Sequence, residues 1–348
     1  SGTLFPTGTG GGRTRLPGAV ALLSLSNNNI QVTGTGGVET ASMIWEIRDS
    51  LGVPVDSSYR VRFSFSSTPG GGAFISPDSG LSDSQTGRVS AVVHSGTVSG
   101  ALQILATVVS PSGLIKSTPV RILVNSGLPD QAHFTIFPSA VNVGPALIVD
   151  GLEDPVHVIV GDKYGNPVAQ NTAVYFTSTI GVVTTITGFT DIDGKADVKL
   201  ISGNPRSGNG FGFVIARTVG VSGATVTDSV RVLFSGSPII DSVTTSPSNS
   251  VTDTTTFTVR FRVYDVNHNP MAAGTAITIT GQGASAVASP VQPAALLPDT
   301  QSPGYTIFTA VISKDLTVQP PILGNFTATI NVAGPNGTAN RAFNGSVR

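Results

Sequence analysis

Cysteine is absent from the 348-residue chain, which excludes disulfides, thiolate catalysis, Cys-ligated zinc or iron, and a lipid-modified N-terminal Cys. Charge is scarce as well. Charged residues make up 11% and the formal net charge is -1, with no stretch that concentrates Lys or Arg. The electrostatic footprint that binding a phosphate backbone requires is missing, so nucleic acid is not an expected partner. Little long-range repulsion opposes self-association on such a surface. Glutamate occurs only as Glu39, Glu46 and Glu153, and Lys is nearly as rare, so the residues that normally cover exposed helix faces are lacking. No run approaches the ~18–20 apolar residues of a membrane span. The longest near the start, Ala19–Leu25, reads as a first strand. A charged segment followed by a long apolar stretch is not seen either, so we expect a secreted, extracellular or cell-surface protein whose signal peptide has been removed.

What is present is β-strand and turn chemistry. Val, Thr and Ile dominate, with 41 Gly and 23 Pro, residues that favour pleated strands and tight turns. Period-2 segments recur at Tyr59-Arg-Val-Arg-Phe-Ser-Phe65, Ala173-Val-Tyr-Phe-Thr177 and Phe257-Thr-Val-Arg-Phe-Arg-Val263. Each puts apolar groups on one face and Arg, Ser or Thr on the other. Short strands divided by Gly, Pro, Asn and Asp clusters read as sandwiches or barrels. A chain longer than ~250–300 residues is expected to divide into more than one core.

A motif appears three times: Asp49-Ser-Leu-Gly-Val-Pro-Val55, Asp162-Lys-Tyr-Gly-Asn-Pro-Val168 and Asp265-Val-Asn-His-Asn-Pro-Met271. The copies repeat at close to the ~100 residues of one sandwich domain. In each, an apolar strand runs into an Asp that can cap a turn through its own backbone, and a Pro then fixes φ before the chain extends again. Two landmarks keep register with it. A Gly turn precedes the strands at Gly87-Arg-Val-Ser-Ala-Val-Val93, Gly194-Lys-Ala-Asp-Val-Lys-Leu200 and Gly304-Tyr-Thr-Ile-Phe-Thr-Ala-Val311, and later strands carry Ala106, Ala216 and Ala328. Gly113 and Gly223 close the next turn, and Asn336-Gly337 is the corresponding hairpin signal in the third copy.

Asp162-Lys-Tyr-Gly-Asn-Pro-Val168, Val174-Tyr-Phe176 and Thr190-Asp-Ile-Asp-Gly-Lys-Ala196 together resemble the bacterial Ig-like domain of the invasin and intimin type. The central copy matches best. The first has Ser and Val substitutions, and the third has His268 at the turn Gly and lacks the Thr-Asp-x-x-Gly run. The resemblance implies a rigid rod of sandwiches projecting from a bacterial envelope. We therefore expect an all-β fold of three tandem Ig-like β-sandwiches in an elongated array: an N-terminal extension at 1–15, then domains at 16–127, 128–236 and 237–348. Ser126-Gly-Leu-Pro-Asp130 and Ser235-Gly-Ser-Pro238 are short linkers, which predicts end-to-end packing.

Candidate chemistry reduces to structure almost everywhere. Asp191-Ile-Asp-Gly-Lys-Ala-Asp197 has alternate carboxylates as a calcium loop would, but Ser202 stands where the twelfth-position acid belongs, and Gly194 suits a hairpin. Asp150-Gly-Leu-Glu-Asp154 reads as a solvated acidic loop before a strand at Val156–Val160. His94, His133, His157 and His268 form no His-x-x-x-His or His-x-His pair. The runs Gly8-Thr-Gly-Gly-Gly12 and Gly34-Thr-Gly-Gly37 lack the Gly-Lys-Ser/Thr ending of a phosphate loop. Asn325-Phe-Thr, Asn336-Gly-Thr and Asn344-Gly-Ser fit the glycosylation pattern at a frequency that a Ser/Thr-rich chain produces by accident. Nearly all Phe residues read as core, and Trp45 should share an inward face with Met43 and Ile47. We expect no catalytic residue, no metal and no cofactor.

The tail at 1–15 belongs to no repeat, and a Gly/Thr-rich stretch orders only when something binds it. We read Thr3-Leu-Phe-Pro-Thr7 as an assembly strand for a neighbouring subunit, with Leu4 and Phe5 anchoring and Arg13 and Arg15 clamping. Head-to-tail contacts of this kind propagate into filaments. The expected function is thus a non-catalytic structural subunit of a bacterial surface filament or array, a self-associating homo-polymer. The alternatives are the stalk of an invasin-like adhesin with a host or matrix ligand, and an accessory module of a larger secreted enzyme.

Overall fold

The computed structural model describes residues 14–111 and 113–348. Alternation of side chains builds its strands as the sequence predicts. In Arg60–Ser67, Val61 and Phe63 turn inward while Arg60 and Arg62 stay in solvent. In Phe257–Tyr264, Phe257, Val259, Phe261 and Val263 are all buried.

The first sandwich contains β1 (Ala19–Leu25), β2 (Asn29–Gln31), β3 (Thr40–Arg48), β4 (Arg60–Ser67), β5 (Phe74–Ser76), β6 (Ser79–Leu81), β7 (Arg88–His94), β8 (Gly100–Ser110), β9 (Gly113–Lys116) and β10 (Val120–Asn125). One sheet has the order β1-β3-β7-β5 and the other β2-β10-β8-β4-β6, with β9 paired to β8. The chain leaves the first sheet after β1 and joins the second as β2, which runs parallel to β10. That switch is the Greek-key signature of an Ig-like sandwich.

The same order recurs twice. Phe134–Pro138, Glu153–Val160, Lys195–Ile201 and Val182–Val183 form one sheet of the second sandwich. Asn142–Val143, Thr225–Phe234, Phe211–Val219, Ala173–Ser178 and Thr187–Phe189 form the other. The third pairs Ile239–Ser246, Phe257–Tyr264, Ile307–Lys314 and Ala286–Ala288 against Ser250–Val251, Gly337–Val347, Gly324–Gly334 and Ala276–Gly283. Each sheet pair closes on its own apolar core, so the chain is all-β, with Ig-like sandwiches in tandem.

Trp45 is fully buried with Met43 and Ile47 and stacks on Phe63 at 4.9 Å between ring centroids, as an inward-facing core residue should. Its replacement by Ala would cost ~3–5 kcal/mol from lost transfer energy and the cavity left behind. The reading of Phe as core needs correction. Phe63, Phe134, Phe176, Phe234, Phe257, Phe261, Phe308 and Phe326 are buried, but Phe74, Phe137, Phe189 and Phe213 lie on outer faces. An alternating strand has two faces, and period alone does not say which one an aromatic takes. The acidic loop is also shorter than expected. The strand begins at Glu153, and Asp154 points into the sandwich with 3% of its surface exposed.

Candidate functional site

The second and third copies of the Asp corner are where the sandwiches meet. In all three copies the first carboxylate oxygen caps its own turn. Asp49 Oδ1 accepts the N–H groups of Leu51 and Val53 at 2.9 Å each. Asp162 Oδ1 accepts those of Tyr164 (2.9 Å) and Asn166 (3.0 Å), and Asp265 Oδ1 those of Asn267 and Asn269, both at 2.9 Å. The turn requires a left-handed residue, supplied by Gly52 (φ 82°), Gly165 (φ 79°) and, in the third copy, His268 (φ 62°). His268 compensates by lying against the Tyr264 ring, 4.5 Å between centroids.

The second oxygen has a different task in copies two and three. Asp162 Oδ2 accepts the N–H of Gly127, the linker residue, at 2.8 Å, and Asp265 Oδ2 accepts that of Gly236 at 3.0 Å. Both carboxylates are fully buried. A charge-assisted bond to a backbone amide in such a setting holds the linker to the corner. The approach is tight: a Cβ on Gly127 would lie 2.7 Å from Thr35 Cγ2.

Asparagine then reaches into the preceding sandwich. Asn166 Nδ2 donates to Thr97 O (2.9 Å) while its Oδ1 accepts the N–H of Ser99 (3.1 Å). Asn269 Nδ2 donates to Asn209 O at 2.9 Å. Tyr164 Oη donates to Thr33 O at 2.9 Å, and Lys163 Nζ donates to Gly34 O. The Asn shared by copies two and three and replaced by Val53 in copy one was the sequence signal that this corner serves a preceding domain.

The second junction adds a buried polar network that sequence reasoning missed. Asn142 Nδ2 donates to the carbonyls of Pro270 (3.0 Å), Met271 (3.1 Å) and Thr300 (3.2 Å), and its Oδ1 accepts Ser235 Oγ–H at 2.6 Å. Asn336 Nδ2 donates to Ser235 Oγ (2.9 Å) and Gly236 O (2.7 Å), and its Oδ1 accepts the N–H of Ala272 (2.8 Å). Asn336 does sit in a hairpin, closed by the Gly334–Gly337 pair, but its side chain is buried and not displayed for glycosylation. Gly144 permits its approach, since a Cβ there would lie 2.4 Å from Asn336 Nδ2. Nothing in a lone Asn-Gly pair announces a partner 100 residues upstream.

Two carboxylates also meet here. Asp299 of the third sandwich accepts the N–H groups of Val141 (2.7 Å) and Asn142 (3.0 Å). The adjacent N–H of Ala140 goes to Asp154 Oδ1 at 2.9 Å, and Asp154 Oδ2 is buried without a hydrogen-bond partner. Burial pushes the Asp154 carboxyl up to about 6; the Ala140 N–H opposes the rise, the charge of Asp299 adds to it, and His157 opposes it.

Ser139, His157 and Asp197 form an array with the outline of a hydrolytic triad, Ser139 Oγ to His157 Nε2 at 3.1 Å and His157 Nδ1 to Asp197 Oδ1 at 2.7 Å. Acyl transfer also needs free N–H groups near the nucleophile to hold the oxyanion. The N–H of Ser139 is given to Pro155 O at 2.7 Å, and those of Ala140, Val141 and Asn142 are given to Asp154 and Asp299 as above. The array braces a surface; it has no oxyanion hole from these four amides.

The other sequence candidates fall as follows. Leu4, Phe5 and Arg13 lie outside the described residues. Arg15 is described, and it turns onto its own domain: its N–H donates to Asp56 Oδ1 at 2.8 Å, its guanidinium donates to Pro54 O at 3.3 Å, and its Nε lies 4.0 Å from Asp49 Oδ2. Asp191 Oδ1 caps a hairpin through the N–H groups of Asp193 and Lys195, both at 2.9 Å. Asp150 pairs with Arg206 at 2.5 Å and Glu153 with Lys199 at 2.6 Å. Among the described residues there is no group of three or more metal-ligating side chains, and no helix is long and apolar enough to cross a membrane.

No family model matches the chain, and no curated protein matches it in sequence. Solved structures do. The Escherichia coli adhesin FdeC is 17% identical with a TM-score of 0.47, covering 95% of this chain and 96% of its own. The Yersinia pseudotuberculosis adhesin InvE is 22% identical with a TM-score of 0.30, over 65% of this chain and 62% of its own. The D00-D0 region of intimin is 16% identical with a TM-score of 0.34, over 62% of this chain and 99% of its own. With TM-scores of this size, the sandwich assignment rests on the strand order and the separate cores described above. The chain is similar to bacterial adhesin domains of the invasin and intimin Ig-like type.

Proposed function

We propose that the chain is a non-catalytic extracellular structural protein, a three-sandwich rod that serves as subunit of a bacterial cell-surface filament or surface array, with domains at 16–127, 128–236 and 237–348. The carrying observation is the pair of Asp clasps on the linker amides of Gly127 and Gly236. A rod whose joints are closed by buried charge-assisted bonds transmits orientation from one end to the other, which a repeating array needs and a flexible string of beads does not supply. In this reading the extension at 1–15 contributes an assembly strand through Leu4, Phe5 and Arg13, while Arg15 ties its base to the first sandwich. Size-exclusion chromatography with electron microscopy tests it: fibres or ordered arrays of the intact chain are expected, lost or thinned on deletion of residues 1–13.

A second reading, the stalk or binding region of an adhesin, is favoured by one observation. Tyr175, Phe189 and Phe213 project from the outer face of one sheet of the second sandwich, a set of exposed aromatics that a monomeric scaffold has no reason to keep. A monodisperse monomer with saturable binding to host cells, sugar or matrix, weakened by Tyr175→Ala and Phe189→Ala, would establish this reading over the first.

A further inference from the structure

We propose that the Asp49 corner of the first sandwich is a docking face for the far end of the third sandwich on a second copy of this chain. The inference rests on the self-associating reading above and names its contact.

Within the chain, each joint has two halves. One is the Asp turn of the following sandwich. The other is the loop of the preceding sandwich that leads into its long central strand: Thr97 and Ser99 before β8 face Asn166, and Asn209 before Phe211–Val219 faces Asn269. Two such halves have no counterpart among the described residues. They are the Asp turn of the first sandwich and the loop at 315–323 of the third, which leads into Gly324–Gly334.

The first half keeps the joint frame. Arg15-Leu16-Pro17 stands where Gly127-Leu128-Pro129 and Gly236-Ser237-Pro238 stand at the other joints. The N–H of Arg15 goes to Asp56, so among the described residues Asp49 Oδ2 receives no linker amide and faces the Arg15 guanidinium at 4.0 Å. What differs is the surface. At the turn positions where the second copy has Tyr164 and Asn166 and the third has Asn267 and Asn269, the first has Leu51, 86% exposed, and Val53, 38% exposed, with Leu16 exposed beside them.

The second half changes in the same sense. Where the earlier loops offer Thr97, Ser99 and Asn209, the loop at 315–323 exposes Leu316, Ile322 and Leu323. Leu323 lies one residue before its strand as Ser99 lies one residue before β8, so both unmatched halves carry an apolar side chain where a matched half carries a polar one. Apolar surface left in water on both is unfavourable, and joining them removes it while repeating a geometry the fold has already used twice. A second copy of this chain supplies both apolar faces at once, joined end to end, and a heterologous contact of that kind propagates.

The experiment uses the full chain and two single variants, Leu51→Asp and Leu323→Asp, at positions exposed enough that circular dichroism and the unfolding midpoint should not move. Analytical ultracentrifugation of the unaltered chain should show concentration-dependent association, and each variant alone should associate at least ten-fold more weakly. An equimolar mixture of the two should form heterodimers and stop there, because Leu51→Asp keeps an intact far end and Leu323→Asp keeps an intact Asp turn. Association that persists in either variant, or a mixture without heterodimer, overturns the docking assignment while leaving self-assembly standing. Assembly that survives Leu51→Asp but is lost on deleting residues 1–13 overturns it in favour of the tail. An unaltered chain that stays monomeric at the highest attainable concentration overturns both this contact and the filament reading.

Discussion

The two joints share an Asp clasp and an Asn that reaches into the preceding sandwich, and they differ in what is packed around these. At the joint between the first and second sandwiches, Asp162 holds Gly127, Lys163 and Tyr164 donate to backbone carbonyls at the surface, and Asn166 donates to Thr97 O and accepts the N–H of Ser99. At the joint between the second and third, Asp265 holds Gly236, and Asn142, Ser235 and Asn336 form a continuous network that is almost wholly buried. Buried polar groups are costly unless satisfied, and a satisfied network fixes one arrangement because every alternative leaves donors and acceptors empty. The lesson is that the second and third sandwiches behave as one unit and the first is joined to it by a lighter hinge.

The largest expected effect follows from breaking the heavier joint. Asn336→Ala removes both amide donors and leaves the buried N–H of Ala272 without an acceptor. The cost should be roughly 2–4 kcal/mol to the coupling of the third sandwich, from several lost bonds and the stranded groups. In differential scanning calorimetry, a single transition for the second and third sandwiches should split in two. If one transition persists with an unchanged midpoint, the network does not couple them.

The pH dependence of the same joint is next in size. An unfolded Asp154 titrates near 3.8, and the folded one at about 6, raised first by burial and then by Asp299. Between those values the folded chain holds a proton the unfolded chain has released. The stability from this group is therefore full below about pH 4 and is lost as pH rises through 6. Asp154→Asn should recover roughly 1–2 kcal/mol at pH 7.5 and flatten the pH profile between 4 and 6. Urea titrations of both proteins across that range check it. A parallel offset with no change in slope would show that Asp154 does not titrate there.

Much of this was legible beforehand, and the gaps have physical causes. The Asp-to-Pro corners, the Gly turns and the inward face of Met43, Trp45 and Ile47 are local: period, propensity and turn chemistry decide them within a few residues. The joints are not local. Asn142 meets Pro270 and Thr300, and Asn336 meets Ser235, pairings that need the packed sandwiches before they exist. Asp154 reads as loop beside the acidic Asp150 and Glu153, yet its strand register with Leu200 turns it inward. Exposed Phe189 and Phe213 read as core from the pattern alone, because alternation has no intrinsic sense of inside.

The lighter joint should give smaller effects. Tyr164→Phe deletes one hydroxyl donor to Thr33 O at a surface site, worth about 0.5–1 kcal/mol. The readout is orientation more than stability. Spin labels on the first and second sandwiches should show a broadened distance distribution in Tyr164→Phe, while labels across the second joint stay narrow. Equal broadening at both joints would erase the contrast between them.

The smallest effect sharpens the comparison of the corners themselves. His268 holds the left-handed turn position that Gly52 and Gly165 hold elsewhere. Replacing it by Gly relieves about 1 kcal/mol of backbone strain. The change also removes the Tyr264 ring contact, worth about 0.5–1 kcal/mol, and it enlarges the freedom of the unfolded chain. The terms nearly cancel, so His268→Gly should shift stability by no more than about 0.5 kcal/mol either way. The reverse change in the second sandwich lacks the Tyr264 ring, because Gly161 occupies its position just before the Asp, and a Cβ at Gly165 would meet the edge of His133 at 3.5 Å instead. Gly165→His should therefore cost more than His268→Gly, about 1–2 kcal/mol. Equal costs for the two exchanges in denaturant unfolding would mean that the Tyr264 ring does not support the turn, and that the third corner tolerates a side chain for some other reason.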